Sequence, residues 1–445
     1  MDPSALDQLL QSKMHRELEI RRPFEPILRQ SERKSTQLQV LPRRTKGIRY
    51  EVADVPTVKE FKEYFQLHRA FLETCPDTKA TRTQMKSAIQ SYLTSSRGEK
   101  TMIQIHCIVK QLLQVMSDTS KDRREIGKAY QSTNGHQDNF NIPFLSPQLH
   151  TLFSPIRRLA SSRLRDIYSL GFVNQLKDCF VLKYPSTIKE GLYSSVHETV
   201  VSYQLNSLRS KTNGFQYGFG GFFCSMKERL CDSKYPATFM GMYEYVPGKT
   251  LESSLETLNR TEFLHLLLRI GNVLLIGSRD TKFRHNRLMS RNIILCEGPE
   301  KKMTVGTYRF SSTLHPVFTD FSHSVVYHEK QSKWITPTFA TEYPIDNAEI
   351  EAPMWDVYVL LHSLMMRCYL CKLSSHLTLV SQLLRWLQSQ MKSVFLLEDL
   401  VKVQQFPYAE IQEFPDVSRR KDVVEEMAVV KVEDWMKYMA SLISN

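Results

Sequence analysis

His285-Asn286-Arg287-Leu288-Met289-Ser290-Arg291-Asn292-Ile293-Ile294-Leu295 passes from a polar, basic loop into a short β-branched run. That is the composition of a loop handing over to a strand. A second segment, Pro316-Val317-Phe318-Thr319-Asp320-Phe321-Ser322, runs apolar residues into an aspartate and a small polar residue, a strand that ends in a turn. The interval Cys296 to Leu314 is longer than a tight hairpin requires, so an enlarged β-loop is expected between the two strands. Upstream, Cys179-Phe180-Val181-Leu182 and Ala237-Thr238-Phe239-Met240 are short β-type runs, and from about residue 260 the apolar spacing turns helical. A strand-rich half followed by a helix-rich half predicts an α+β architecture. A small β-rich lobe (151–248) would join a larger helical one (249–445), with a ligand between them.

The first 150 residues read differently. Residues 1–50 carry Arg21-Arg22, Arg33-Lys34 and Arg43-Arg44-Thr45-Lys46 among short apolar islands, the pattern of a flexible basic arm. Phe61, Tyr64, Phe65, Leu67 and Phe71, then Ile103, Ile105, Ile108, Leu112, Leu113 and Val115, repeat at helical spacing. They predict a helical module over 51–150, closed by a polar, proline-bearing linker from Asn134-Gly135 to Pro147.

Composition excludes several classes. With 445 residues, 42% hydrophobic and 24% charged, the chain can bury a sizeable core and is not disordered throughout. The most apolar stretch, Phe263 to Ile276, is interrupted by His265 and Arg269 and is too short for a spanning helix. The start of the chain lacks an apolar signal region, so an intracellular, non-secreted protein is expected, in cytoplasm or nucleus. Eight scattered cysteines do not form a disulfide framework, and the lone Cys368-x-x-Cys371 pair reads as packing. A net charge of +12 favours acidic partners, nucleotides or nucleic acid without choosing among them.

The order of the motifs resembles the eukaryotic-type protein kinase superfamily, most of all the divergent kinase-like proteins of large double-stranded DNA viruses. Phe180-Val181-Leu182-Lys183 is similar to the kinase strand whose lysine reaches the nucleotide phosphates, and Glu198 is its candidate helix partner. Gly241-Met242-Tyr243-Glu244-Tyr245-Val246-Pro247-Gly248 resembles the hinge that borders adenine, with Tyr243 as gatekeeper and Glu244 and Val246 as nucleotide contacts. His285 to Leu295 is similar to the catalytic loop and its strand, and Asp320-Phe321-Ser322 to the magnesium-binding D-F-G turn. The resemblance implies Asn292 and Asp320 as metal ligands; both are oxygen donors suited to a hard cation. Asp356, in Trp355-Asp356-Val357, resembles the aspartate that ties down the catalytic loop behind His285. A rival register using Arg279-Asp280 sets His285 on the metal position and spoils the following strand, so the first register is preferred.

Three departures shape the functional expectation. Arg287 stands where the family has its catalytic aspartate, and a guanidinium neither takes a proton nor accepts a hydrogen bond. Ser169-Leu170-Gly171-Phe172-Val173 keeps a single glycine, Gly171, for the phosphate loop. Gly218-Phe219-Gly220-Gly221 falls after the lysine strand and reads as a turn. The resemblance therefore implies a pseudokinase that holds ATP and Mg2+ or an unidentified protein partner. An atypical active serine/threonine kinase is the first alternative. A basic nucleic-acid-binding or virion structural protein on a kinase-like scaffold is the second.

Overall fold

In the computed structural model the chain divides into two compact units, Met1–Asp54 with Val394–Asp416 and Val55–Ser393 with Val417–Asn445. The structure describes residues 153–161, 165–172, 178–185, 189–225, 237–329, 332–337, 352–391 and 421–444, all within the second unit. The expected basic arm (1–50) and the helical module with its linker (51–150) lie outside the described residues.

The described chain mixes helix and sheet, in agreement with the α+β expectation. Its first part is a five-stranded sheet in the order β1-β2-β3-β5-β4, built from β1 (Phe153–Ser161), β2 (Arg165–Phe172), β3 (Phe180–Pro185), β4 (Gly218–Ser225) and β5 (Ala237–Glu244). Every neighbouring pair is antiparallel. Phe180, Val181 and Leu182 are all buried, as a central strand covered on both faces requires. Helix α1 (Lys189–Leu205) packs against β4 and β5, and Ser194 through Tyr203 are buried along it without a break. The run Gly218–Gly221 is not a turn. It opens strand β4, with a bulge between Gly218 and Gly220. Glycine is required at 218 because a Cβ there would lie 2.6 Å from the Ser202 hydroxyl of α1.

After β5 the chain crosses Tyr245 to Gly248 into β6 (Lys249–Thr250), α2 (Leu251–Ser254) and α3 (Arg260–Thr281). Asn259 and Glu262 cap α3 reciprocally, each side chain 2.9 Å from the other residue's backbone N–H. Among the described residues α3 is the single helix long and apolar enough to cross a membrane, yet its apolar side chains from Phe263 to Leu274 are core. Its Arg269 donates to the carbonyls of Lys301 (2.6 Å) and Ser312 (2.8 Å).

Those two acceptors belong to β7 (Ile293–Val305) and β8 (Tyr308–Phe318), which form a three-stranded sheet with β6. The enlarged β-loop expected over Cys296 to Leu314 is a long hairpin that continues both strands. Their ladder runs from Ile293 opposite Phe318 to Val305 opposite Tyr308, with an irregularity between Glu297 and Lys301. The hairpin closes through Gly306-Thr307, with Gly306 at φ 59°. Its extent was hidden because Glu297 to Lys302 is polar and exposed, although at the tip Met303, Val305, Tyr308 and Phe310 share one face and Val305 and Phe310 are buried. After it come β9 (Val326–His328), β10 (Lys333–Ile335), α4 (Pro353–Leu370), α5 (Ser374–Ser389), α6 (Lys421–Val429) and α7 (Val432–Ser444). Helix α4 is buried almost all round and packs on α3, α5 and α6.

Candidate functional site

The chemistry-bearing residues converge where α1, the start of β2, the 285–292 loop and the turn after β8 meet. Direct strand partners share a face, so the pairings Ile167–Lys183–Gly241 and Ser169–Val181–Tyr243 put Arg165, Val181, Lys183 and Tyr243 on one side of the sheet. Lys183 is 4% exposed and ion-pairs with Glu198 Oε1 of α1. Its Nζ lies 4.6 Å from the centre of the Tyr243 ring, and the Tyr243 hydroxyl is 2.8 Å from Thr199 Oγ1 of α1. The pair that sequence proposed between strand lysine and helix glutamate is therefore made.

Glu198 is fully buried and carries more than that one partner. Its Oε1 also accepts the backbone N–H of Phe321 at 3.2 Å, and its Oε2 accepts Nη1 of Arg165. The other arm of the Arg165 guanidinium, Nη2, donates to Asp320 Oδ1 at 2.5 Å and to Ser322 Oγ at 3.1 Å. Ser322 in turn donates to Asp320 Oδ1 at 2.8 Å. One arginine thus bridges the two carboxylates that sequence had assigned to separate tasks. Burial would raise the Asp320 carboxyl, but the charges of Arg165 first, then Lys183 and Arg287, hold it well below the ordinary range. Asp320 has left-handed backbone, φ 66° and ψ 64°.

The loop beneath is pinned from behind. Asp356, near the start of α4, accepts the backbone N–H groups of His285 (2.6 Å) and Asn286 (2.7 Å). Burial pushes its carboxyl up to about 7, against the pull of those amides and of Arg284. His285 is fully buried, donates Nε2–H to the Thr319 carbonyl (2.9 Å) and packs 5.7 Å from the Phe321 ring. Asn292 donates Nδ2–H to the Arg287 carbonyl (2.9 Å), and its own carbonyl accepts from the Thr319 N–H (2.9 Å). By contrast Arg279 and Asp280 end α3, and Asp280 pairs with Lys211 at 2.9 Å. The residues of the preferred register are the ones brought together.

Arg287 is 8% exposed and donates Nη1–H to Nε2 of His323 at 2.9 Å. His323 must be neutral to accept that bond; burial first, and the Arg287 charge second, push it down to about 3. At this position the chain holds a second fixed cation and no base.

Other expected contacts fall elsewhere. Gly171 is not in a phosphate loop: it lies inside β2, opposite Ser154 of β1, at the far end of the strand from Arg165. The link between β1 and β2 is Ser162-Arg163-Leu164, which contains no glycine. The Glu244 side chain is fully buried and pairs with Arg209, while its N–H donates to the Tyr217 carbonyl (2.9 Å) and its carbonyl accepts from Gln216 Nε2 (2.8 Å). That carbonyl is already engaged within the protein. Val246 is buried in an apolar cluster with Cys296, Val317 and Ile294. Sequence reasoning missed Arg165 and His323. Setting the glycine turn at 169–173 moved it to the wrong end of β2, and the face that Arg165 shares with Lys183 went unread.

The donor set also tests the implied magnesium. Among the described residues no three His, Cys, Asp or Glu side chains converge as a metal group would need. Asp320, the charged ligand of the expected pair, instead carries the Arg165 guanidinium, with the Arg287 charge close by. Two permanently charged arginines so close to that carboxylate oppose the approach of a divalent cation. No known family model matches the chain, and no curated protein matches it.

Proposed function

We propose that this chain is a two-lobed protein-kinase homologue with a disabled phosphotransfer centre, working as a nucleotide-binding and protein-interaction module. One observation carries the reading: Lys183, paired with Glu198, shares a buried centre with Asp320 and with a loop whose backbone Asp356 anchors. The strand order, the single helix on the first sheet and the helices that follow support it at the level of architecture.

The chemistry supports loss of turnover. A kinase needs a carboxylate to orient and accept the proton of the incoming hydroxyl, and Arg287 supplies only N–H donors. Losing general-base assistance costs about 10²–10⁴ in rate. What these side chains still do is hold negative charge: Lys183, Arg165 and Arg287 surround the place where phosphates would lie. ATP should raise the melting temperature of the protein, and Lys183→Ala should abolish the rise. Incubation with labelled ATP and generic protein substrates should transfer no phosphate. Incorporation by the wild type that disappears in Asp320→Ala would overturn the disabled centre, and a melting temperature indifferent to ATP would overturn nucleotide binding.

A further inference from the structure

Val246 is 3% exposed, yet neither its backbone N–H nor its carbonyl has a hydrogen-bond partner among the described residues. Buried peptide groups are nearly always paired, so this orphaned couple suits a polar edge brought from outside the chain. The residue before a proline is held extended, and an extended residue turns its N–H and carbonyl to the same edge. Val246 precedes Pro247 and so sets one donor beside one acceptor. Its side chain packs on Ile294, Cys296 and Val317, in the two strands that begin after Asn292 and end before Asp320. The backbone just before it is closed. Tyr245 N–H donates to the Cys179 carbonyl (3.1 Å), and Glu244 N–H to the Tyr217 carbonyl (2.9 Å). Glu244 has no exposed surface, and its carbonyl accepts from Gln216 Nε2 at 2.8 Å. Gln216 is fixed in turn, its N–H bonded to the Phe318 carbonyl (3.0 Å) and its carbonyl to Ser202 Oγ (3.1 Å).

We infer that Val246 alone reads the base, through its N–H and carbonyl, and that the site therefore accepts adenine and guanine nucleotides alike. This rests on the nucleotide-binding reading above and names the bases which that reading admits. Adenine sets its N1 acceptor beside an amino donor, and guanine sets its O6 acceptor beside the N1–H donor. Either edge completes the couple on Val246. An open Glu244 carbonyl would separate the two bases, because a second acceptor takes the adenine amino group and opposes guanine O6. Gln216 withdraws that acceptor.

The test measures dissociation constants by calorimetry on the full chain for ATP, GTP and purine riboside triphosphate, which keeps the N1 acceptor but has no amino group. ATP and GTP should agree within about threefold, whereas purine riboside triphosphate, one hydrogen bond poorer, should bind about tenfold more weakly than ATP. Gln216→Leu, which frees the Glu244 carbonyl, should move the preference about tenfold toward ATP. Wild-type binding of ATP about tenfold or more tighter than GTP would overturn the inference while leaving the nucleotide site standing. Equal constants for all three ligands would also defeat it, since the base would then go unread. An ATP-to-GTP ratio unmoved by Gln216→Leu would remove Gln216 from the account and sink the inference in this form. Absence of binding by all three would overturn the nucleotide-binding reading and this inference with it. Should Gln216→Leu fail to fold, the three wild-type constants decide alone.

Discussion

Glu198 receives Lys183 on one oxygen, Arg165 on the other and the Phe321 amide besides, all out of contact with water. Removing one member of a buried ion pair leaves the other charged and unsolvated, a loss of about 3–5 kcal/mol. The members are not equivalent, however. Glu198→Gln strands Lys183 and takes one of two carboxylates from Arg165, which keeps Asp320, whereas Lys183→Met leaves Glu198 still paired with Arg165. Glu198→Gln should therefore lower the urea midpoint well beyond Lys183→Met, and equal midpoints would show that the arginine arm contributes nothing. Asp356 is a residue of a different kind. Its carboxyl moves from the ordinary 3.8 up to about 7 in the fold, so between those values the folded state binds the proton that the unfolded state has released. Stability then falls as pH rises across that interval. Asp356→Asn does not titrate. The gap in unfolding free energy between wild type and this variant should narrow from pH 4 toward pH 7, and a gap that widens would refute the sign.

At the scale of elements, the crossing from β5 to β6 depends on one backbone position. Gly248 has φ 152°, and a Cβ there would stand 2.0 Å from the Leu295 carbonyl oxygen of β7. Leu295 lies opposite Lys249 in the β6–β7 ladder, so its backbone cannot step aside without disturbing that pairing. Gly248→Ala should cost about 1–3 kcal/mol through local backbone strain, with further loss from the displaced strand; a thermal midpoint equal to wild type would show that the crossing is pliable. The same elements show what was legible in the sequence. Central strand β3, the helical stretch from about residue 260 and the loop at 285–292 announce themselves, because their patterns are local: apolar runs, helical spacing, a polar loop before a β-branched strand. The extent of the long β7–β8 hairpin did not, since its middle (Glu297 to Lys302) is polar and exposed, and its apolar tip, Val305 and Phe310, is covered only by α3, through His265 and Arg269. Arg165 was illegible for a related reason. Its partners are 33 and 155 residues away in sequence, and only the strand pairings bring them within reach.

For the whole molecule the question is whether the first sheet and the helices that follow it unfold together. Their cores are joined by side chains from both. Phe215, just before β4, packs on Phe283 after α3 (5.1 Å between ring centres) and on Phe318 at the end of β8 (5.7 Å). The Arg165 bridge adds a polar tie across the same boundary. All four tryptophans, Trp334, Trp355, Trp386 and Trp435, fall after the first sheet, so intrinsic fluorescence reports on the later part alone. Leu182 in β3 is 1% exposed and far in sequence from any of them. Truncating such a side chain costs about 2–5 kcal/mol. If aromatic packing and the ion bridge make one cooperative unit, Leu182→Ala must shift the fluorescence midpoint in urea as far as the circular-dichroism midpoint. A fluorescence transition that stays at the wild-type position while circular dichroism gains an earlier step would mean that the sheet melts by itself. The contacts through Phe215 and Arg165 would then be too weak to couple the two parts.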